Sequence, residues 1–124
     1  MAKKNKNKQI NVIAYLSTNG NMYSAPVKEK KQLHYLRDYA KAHNIRIIKV
    51  MNRDIAINRD IIRHFRKMAA YIKTGQADGV IVANLSVISE SLPDAYYKVG
   101  IIAEAKGSFI TVDEGNLSLS DKGV

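Results

Sequence analysis

The stretch Ile10 to Leu16 is largely apolar and stops abruptly at Ser17-Thr18-Asn19-Gly20. A short apolar run bounded by small polar residues and glycine predicts a buried strand leaving its sheet. Beyond Pro26, which predicts a turn, Leu33, Leu36, Tyr39 and Ala40 recur at the spacing of one helical face, predicting a helix over 27–43. Ile45 to Met51 is rich in β-branched residues and predicts a second strand, followed by a polar connection over 52–58. Ile61, Phe65, Met68 and Ile72 then fall at steps of four, three and four, which predicts a second helix capped by Asn58 or Asp60 and stopped at Gly75. Residues 78–83 form an almost continuously apolar third strand, as a strand covered on both faces requires, and it ends at Asn84-Leu85-Ser86. Pro93 near its start and Gly107 after its end bracket a third helix over 93–106, Ser108 to Val112 is a fourth strand, and 115–124 has no periodicity.

Strands alternating with helices predict an α/β domain of three layers, a mostly parallel sheet of four or five strands with helices on both faces. In such sheets chemistry gathers beyond the carboxyl ends of the strands, which makes Ser17 the first candidate site residue. A serine at a strand end is more often a turn or capping residue than a nucleophile, and both readings stand at this point. The predicted organisation is a basic arm over 1–9, one α/β domain over 10–115 and an irregular tail over 116–124.

Charge narrows the partners. Twenty Lys and Arg against eleven Asp and Glu leave a net charge of +9 over 124 residues, a surface that favours polyanions and nucleic acid first among them. Lys3, Lys4, Lys6 and Lys8 concentrate that charge in the arm, and Arg59, Arg63, Arg66 and Lys67 lie on the outer face of the second helix, so these eight are the candidate DNA contacts. The chain has no cysteine, which removes disulfides, thiol catalysis and zinc ribbons, and its three histidines, His34, His43 and His64, share no metal-like spacing and are expected to be solvated. No cofactor is expected. No apolar run reaches the length of a membrane span and no signal peptide is legible, so a cytoplasmic location without membrane partners is expected.

The order and spacing of these residues resemble the catalytic domain of serine site-specific recombinases, the resolvase and invertase group. Ser17-Thr18 closing the first strand is similar to that family's Arg-Val-Ser-Thr, and Gln32, Leu36, Tyr39 and Ala40 match its Gln-x-x-x-Leu-x-x-Tyr-Ala helix. Phe65-x-x-Met68, Lys73-Thr74-Gly75, Asp78-Gly79-Val80-Ile81-Val82 and Val112-Asp113-Glu114-Gly115 follow in the family's order. The resemblance implies that Ser17 stands at the position of a nucleophile that attacks a DNA phosphodiester, with Gln32 and Asp78 in support. It also implies DNA as substrate, and a full-length recombinase or a second copy of the chain as partner.

Phosphoryl transfer from DNA needs guanidinium groups around the phosphate, because negative charge gathers on its oxygens in the transition state. Here the sequence departs from the family. The arginine two residues before the nucleophile falls on Tyr15, and the motif Leu-Asp-Arg-Leu-Ser-Arg falls on Leu85-Ser86-Val87-Ile88-Ser89-Glu90, so its arginines become Val87 and Glu90. Arg59 and Arg63 flank the place of a further one. Three readings follow: a catalytically impaired accessory or DNA-binding module, an active strand-transfer enzyme using Ser17, and a small-molecule binder using the loop 17–21. The long pairing helix and DNA-reading module that follow this domain in the family are not legible here, so DNA binding is expected to be weak, salt-sensitive and largely non-specific.

Overall fold

The computed structural model of the chain describes residues 9–17, 25–52, 58–89 and 91–117, excluding the side chains of 25, 58 and 59. Its elements are β1 (Ile10–Leu16), α1 (Ala25–Ala42), β2 (Ile45–Asn52), α2 (Asn58–Lys73), β3 (Gly79–Val82), a 3₁₀ turn at Leu85–Val87, α3 (Leu92–Glu104), β4 (Ser108–Thr111) and β5 (Gly115–Asn116). One sheet holds all five strands in the order β2-β1-β3-β4-β5. Every neighbouring pair is parallel except β4 with β5. The five-stranded form of the expected sheet is the one found.

Topology assigns the helices to faces. The chain steps from β1 outward to β2, then back across β1 to β3, and onward to β4, so right-handed crossovers put α1 on one face and α2 with α3 on the other. Tyr15 confirms the assignment by packing edge-on against Phe65 of α2. The two-residue period then turns Ile13 and Tyr15 toward α2 and Val12, Ala14 and Leu16 toward α1.

The helical faces read from the sequence are the faces that are buried. Leu36 and Ala40 of α1, and Ile61, Phe65, Met68 and Ile72 of α2, all lie in the core with Val80, Ile81 and Val82 of the central strand β3. Each large side chain removed from water in this way stabilises the fold by about 1.5–3 kcal/mol before entropy is counted.

Two local expectations are corrected, and one strand departs from simple alternation. Pro26 lies in the first turn of α1 rather than in a preceding turn; a proline is tolerated there because that turn's N–H groups have no intrahelical acceptor. Gly115 and Asn116 form β5 instead of an irregular tail: Gly115 takes φ +88°, a left-handed conformation that closes the hairpin with β4 at little cost to glycine alone. In β2 the apolar Ile48 and Val50 are exposed. The register with β1 skips Ile48, and the added residue breaks the alternation of faces on this edge strand.

Gly79 explains one element of the sequence pattern. A Cβ at this position would stand 2.4 Å from the carbonyl oxygen of Ser108 on β4, so the close approach of β3 to β4 requires glycine. Among the described residues no helix is long and apolar enough to cross a membrane.

Candidate active-site cleft

The loop after β1 leads to α1 on one face, and the loop after the adjacent, parallel β3 leads to α3 on the other. Loops that diverge from neighbouring strands open a crevice at the carboxyl edge of the sheet, where open α/β sheets bind ligands. Ser17 stands on one side of this crevice and Asn84 to Ser86 on the other.

Ser17 is 8% exposed and directly follows the last residue of β1. Gln32 of α1 holds its main chain from both sides: the Ser17 N–H donates to Gln32 Oε1 at 3.0 Å, and Gln32 Nε2 donates to the Ser17 carbonyl at 3.1 Å. A primary amide is suited to this, since it offers one acceptor and one donor side by side. Gln32→Ala is expected to lower stability by about 1–2 kcal/mol, two net hydrogen bonds, and to raise hydrogen exchange at the Ser17 amide selectively. Unchanged exchange would show that the clamp does not order the turn.

A second network closes the other side. Tyr35, one turn after Gln32 on α1, donates its hydroxyl to Asp113 Oδ1 at 2.6 Å, and Asn84 Nδ2 donates to Asp113 Oδ2 at 2.9 Å. Ser86 donates to Asn84 Oδ1, and the Leu85 N–H donates to Glu114 Oε1 at 3.2 Å. The hydrogen bonds from Tyr35 and then Asn84 hold the Asp113 carboxyl below its ordinary range, while the bond to Asp113 raises the Tyr35 phenol. At neutral pH Asp113 is therefore ionised and Tyr35 keeps its proton. The bonds are at full strength between the ordinary carboxyl and phenol ranges; they are lost as pH falls through the lowered Asp113 value, and the Tyr35 bond also as pH rises through the raised phenol value. Val112-Asp113-Glu114-Gly115 thus has a structural account: its two carboxylates hold the turn after β3, and its glycine closes the hairpin.

No protein-family model matches the sequence, and no curated protein matches it. Solved structures do. The N-terminal catalytic domain of TP901-1 integrase superposes with a TM-score of 0.71 at 20% identity, over 91% of this chain and 85% of that one. A resolvase family site-specific recombinase from Streptococcus pneumoniae gives 0.71 at 18% identity, over 93% and 80%. The C-terminal catalytic domain of ISC1926 TnpA, an IS607-like serine recombinase, gives 0.64 at 16% identity, over 83% and 70%. The chain has the resolvase-like fold of serine recombinase catalytic domains.

In this resolvase-like domain two positions at which the sequence resemblance places arginines are internal. Tyr15 is fully buried; its hydroxyl lies 2.9 Å from His64 Nδ1, and its ring meets those of His64 and Phe65 edge-on. Val87 is buried in the 3₁₀ turn. Glu90, the third such position, lies outside the described residues. His64, expected to be solvated, is instead half-buried against Tyr15.

The remaining candidates separate. Asp78 lies at the opposite edge from Ser17: Gly79 pairs with Val12, five residues before Ser17, or roughly 16 Å along an extended strand. There its carboxylate accepts from the Asn11 N–H at 2.8 Å and its main chain bonds Asn11 and Ser108, so it ties β1, β3 and β4 together and does not join the Ser17 cleft. Arg63 and Arg66, with Lys67, are exposed on α2, where Arg63 pairs with Asp60 at 3.3 Å and Arg66 reaches the Tyr97 hydroxyl at 3.4 Å. The Arg59 side chain, Lys3, Lys4, Lys6 and Lys8, and residues 18–21 of the loop lie outside the described residues.

Sequence reasoning missed Tyr35, Asn84 and Lys98. Lys98 is completely buried in α3, where its Nζ donates to the Ile88 carbonyl at 2.9 Å and pairs with Asp94. The i, i+4 spacing of Asp94 and Lys98 was the only signal, and the same spacing occurs on many solvated helices.

Proposed function

We propose that this chain is a resolvase/invertase-type serine recombinase domain that serves site-specific DNA recombination as a DNA-contacting or accessory module, without efficient strand cleavage of its own. The observation that carries the reading is the burial of Tyr15 and Val87. Side chains committed to the core at these positions bring no positive charge to a phosphate beside Ser17. The ionised Asp113 and the nearby Glu114 add negative charge at the same edge.

For cleavage, Ser17 Oγ would attack phosphorus, a new O–P bond would form as the bond to the deoxyribose oxygen breaks, and the departing oxygen would take up a proton. Gln32 positions the Ser17 main chain for this, but each missing preorganised donor costs about 10²–10³ in rate. The partner is DNA, or a complete recombinase bound to DNA, which matches the resolvase-like fold and the net charge of +9.

Incubation with nicked or gapped DNA followed by denaturing electrophoresis tests the reading. No covalent adduct is expected, and retention of DNA under native conditions is expected to fall steeply with salt. An adduct that disappears in Ser17→Ala would make the chain an active strand-transfer enzyme. Failure to retain DNA at any salt concentration would remove DNA as the direct partner.

A further inference from the structure

At the edge of the sheet opposite Ser17, an open groove of about 340 Å³ is lined by Gln9, Arg37, Lys41, Asn44 and Arg46, together with the apolar Ile45 and Ile47. Arg37 and Lys41 are four residues apart on α1 and share one face of the helix, and Arg46 comes from β2 immediately beyond it. Asn44 takes φ +59°, the left-handed turn that joins α1 to β2, and Arg46 follows it on the rim of the same groove. All three cations are exposed, and none is among the ion pairs of the described residues. The nearby carboxylate of Asp38 lies 3.4 Å from His34.

Like charges at i, i+4 with a third across the groove cost stability, and a folding role accounts for only part of the set. Lys41, in the last turn of α1, complements the helix dipole. Arg37, a turn earlier, and Arg46, on a strand, have no such use.

We infer that this groove is a phosphate-binding contact for a nucleic-acid backbone, separate from the Ser17 cleft. Two guanidiniums and an ammonium around an open channel suit phosphodiester oxygens passing through it. The groove is too polar and too open to enclose an apolar ligand. β1 separates the two edges by seven residues, roughly 23 Å, so the groove holds DNA at a place of its own. Gln9, on its rim, directly follows Lys8 in the sequence, which joins the lysine-rich residues 1–8 covalently to this edge.

The inference rests on DNA being the partner, and one experiment separates the two claims. Binding of a short fluorescent DNA duplex is followed by anisotropy across a salt series for the parent chain, for Arg37→Gln/Lys41→Gln/Arg46→Gln, and for a charge-matched control, Lys28→Gln/Lys30→Gln/Lys31→Gln, at the other end of α1. The groove variant is expected to lower the slope of log K against log salt by about two to three, roughly one unit for each phosphate no longer neutralised, and the control by less than about one. All the substituted side chains are exposed, so folding should be unaffected, and circular dichroism checks this. Equal slopes for parent and groove variant, or equal losses in groove variant and control, overturn the groove while leaving DNA as partner. A parent that binds no duplex at any salt overturns both.

Discussion

Tyr15→Arg is expected to destabilise the protein by about 3–5 kcal/mol, and not to rebuild an active centre. The substitution restores by sequence what the resemblance says is missing, so it distinguishes a lost charge from a remodelled core. Tyr15 has no exposed surface, packs on Phe65 with ring centroids 5.3 Å apart, and directs its hydroxyl to His64 of α2. A guanidinium in that space would be a buried charge beside an imidazole and a phenyl ring, neither of which offsets its desolvation. A loss of that size is a large fraction of a typical domain's roughly 5–15 kcal/mol. Urea unfolding checks it, with Tyr15→Phe as the companion variant: removing only the hydroxyl should cost about 1 kcal/mol. If Tyr15→Arg keeps the parent's midpoint and gains a Ser17-dependent DNA adduct, Tyr15 is a simple replacement at a site that otherwise still works.

Asp94→Asn should have an effect of comparable size for the opposite reason. It would leave a charge that is already buried without its carboxylate. Lys98 is completely buried, bridging Asp94 within α3 to the Ile88 carbonyl after the 3₁₀ turn. Breaking such a pair from one side costs about 3–5 kcal/mol, whereas replacing the lysine by a residue of similar volume removes the charge along with its need for a partner. Lys98→Met is therefore expected to cost less than about 1.5 kcal/mol and Asp94→Asn clearly more, with urea midpoints as the measurement. Equal effects would mean that the ammonium is stabilised mainly by groups other than Asp94. The pair also bears on the cleft, because Ile88 belongs to the segment where the family resemblance places its arginine-bearing motif. In this chain a buried lysine anchors that segment to α3.

The polar clusters differ in how far a linear reading reaches them. Gln32 was legible as a site residue through the family pattern alone; that it grips the Ser17 main chain was not, since an amide on a helix surface looks the same whatever it faces. Asp78 was legible as a notable carboxylate, and only the parallel register of β1 with β3 shows that it belongs to the other edge. Asp113 and Glu114 were legible as part of a pattern. Their hydrogen bonds to Asn84, Leu85 and Tyr35 join residues between 29 and 78 positions apart, a separation that no local periodicity encodes.

By itself the sequence determined the alternation of strands and helices, the buried faces of the first two helices and the mostly parallel sheet, which follow from hydrophobic periodicity and crossover handedness. The resolvase-like form of that sheet came from the family resemblance of the motifs. Only the tertiary structure decided that Tyr15 and Val87 belong to the core, that a carboxylate network closes the cleft beyond β3, and that Arg37, Lys41 and Arg46 line one groove at the far edge. Each of these depends on which side chains from distant segments meet after the sheet has formed. A residue's type sets the chemistry it can offer; its packing decides whether that chemistry faces a ligand or the core.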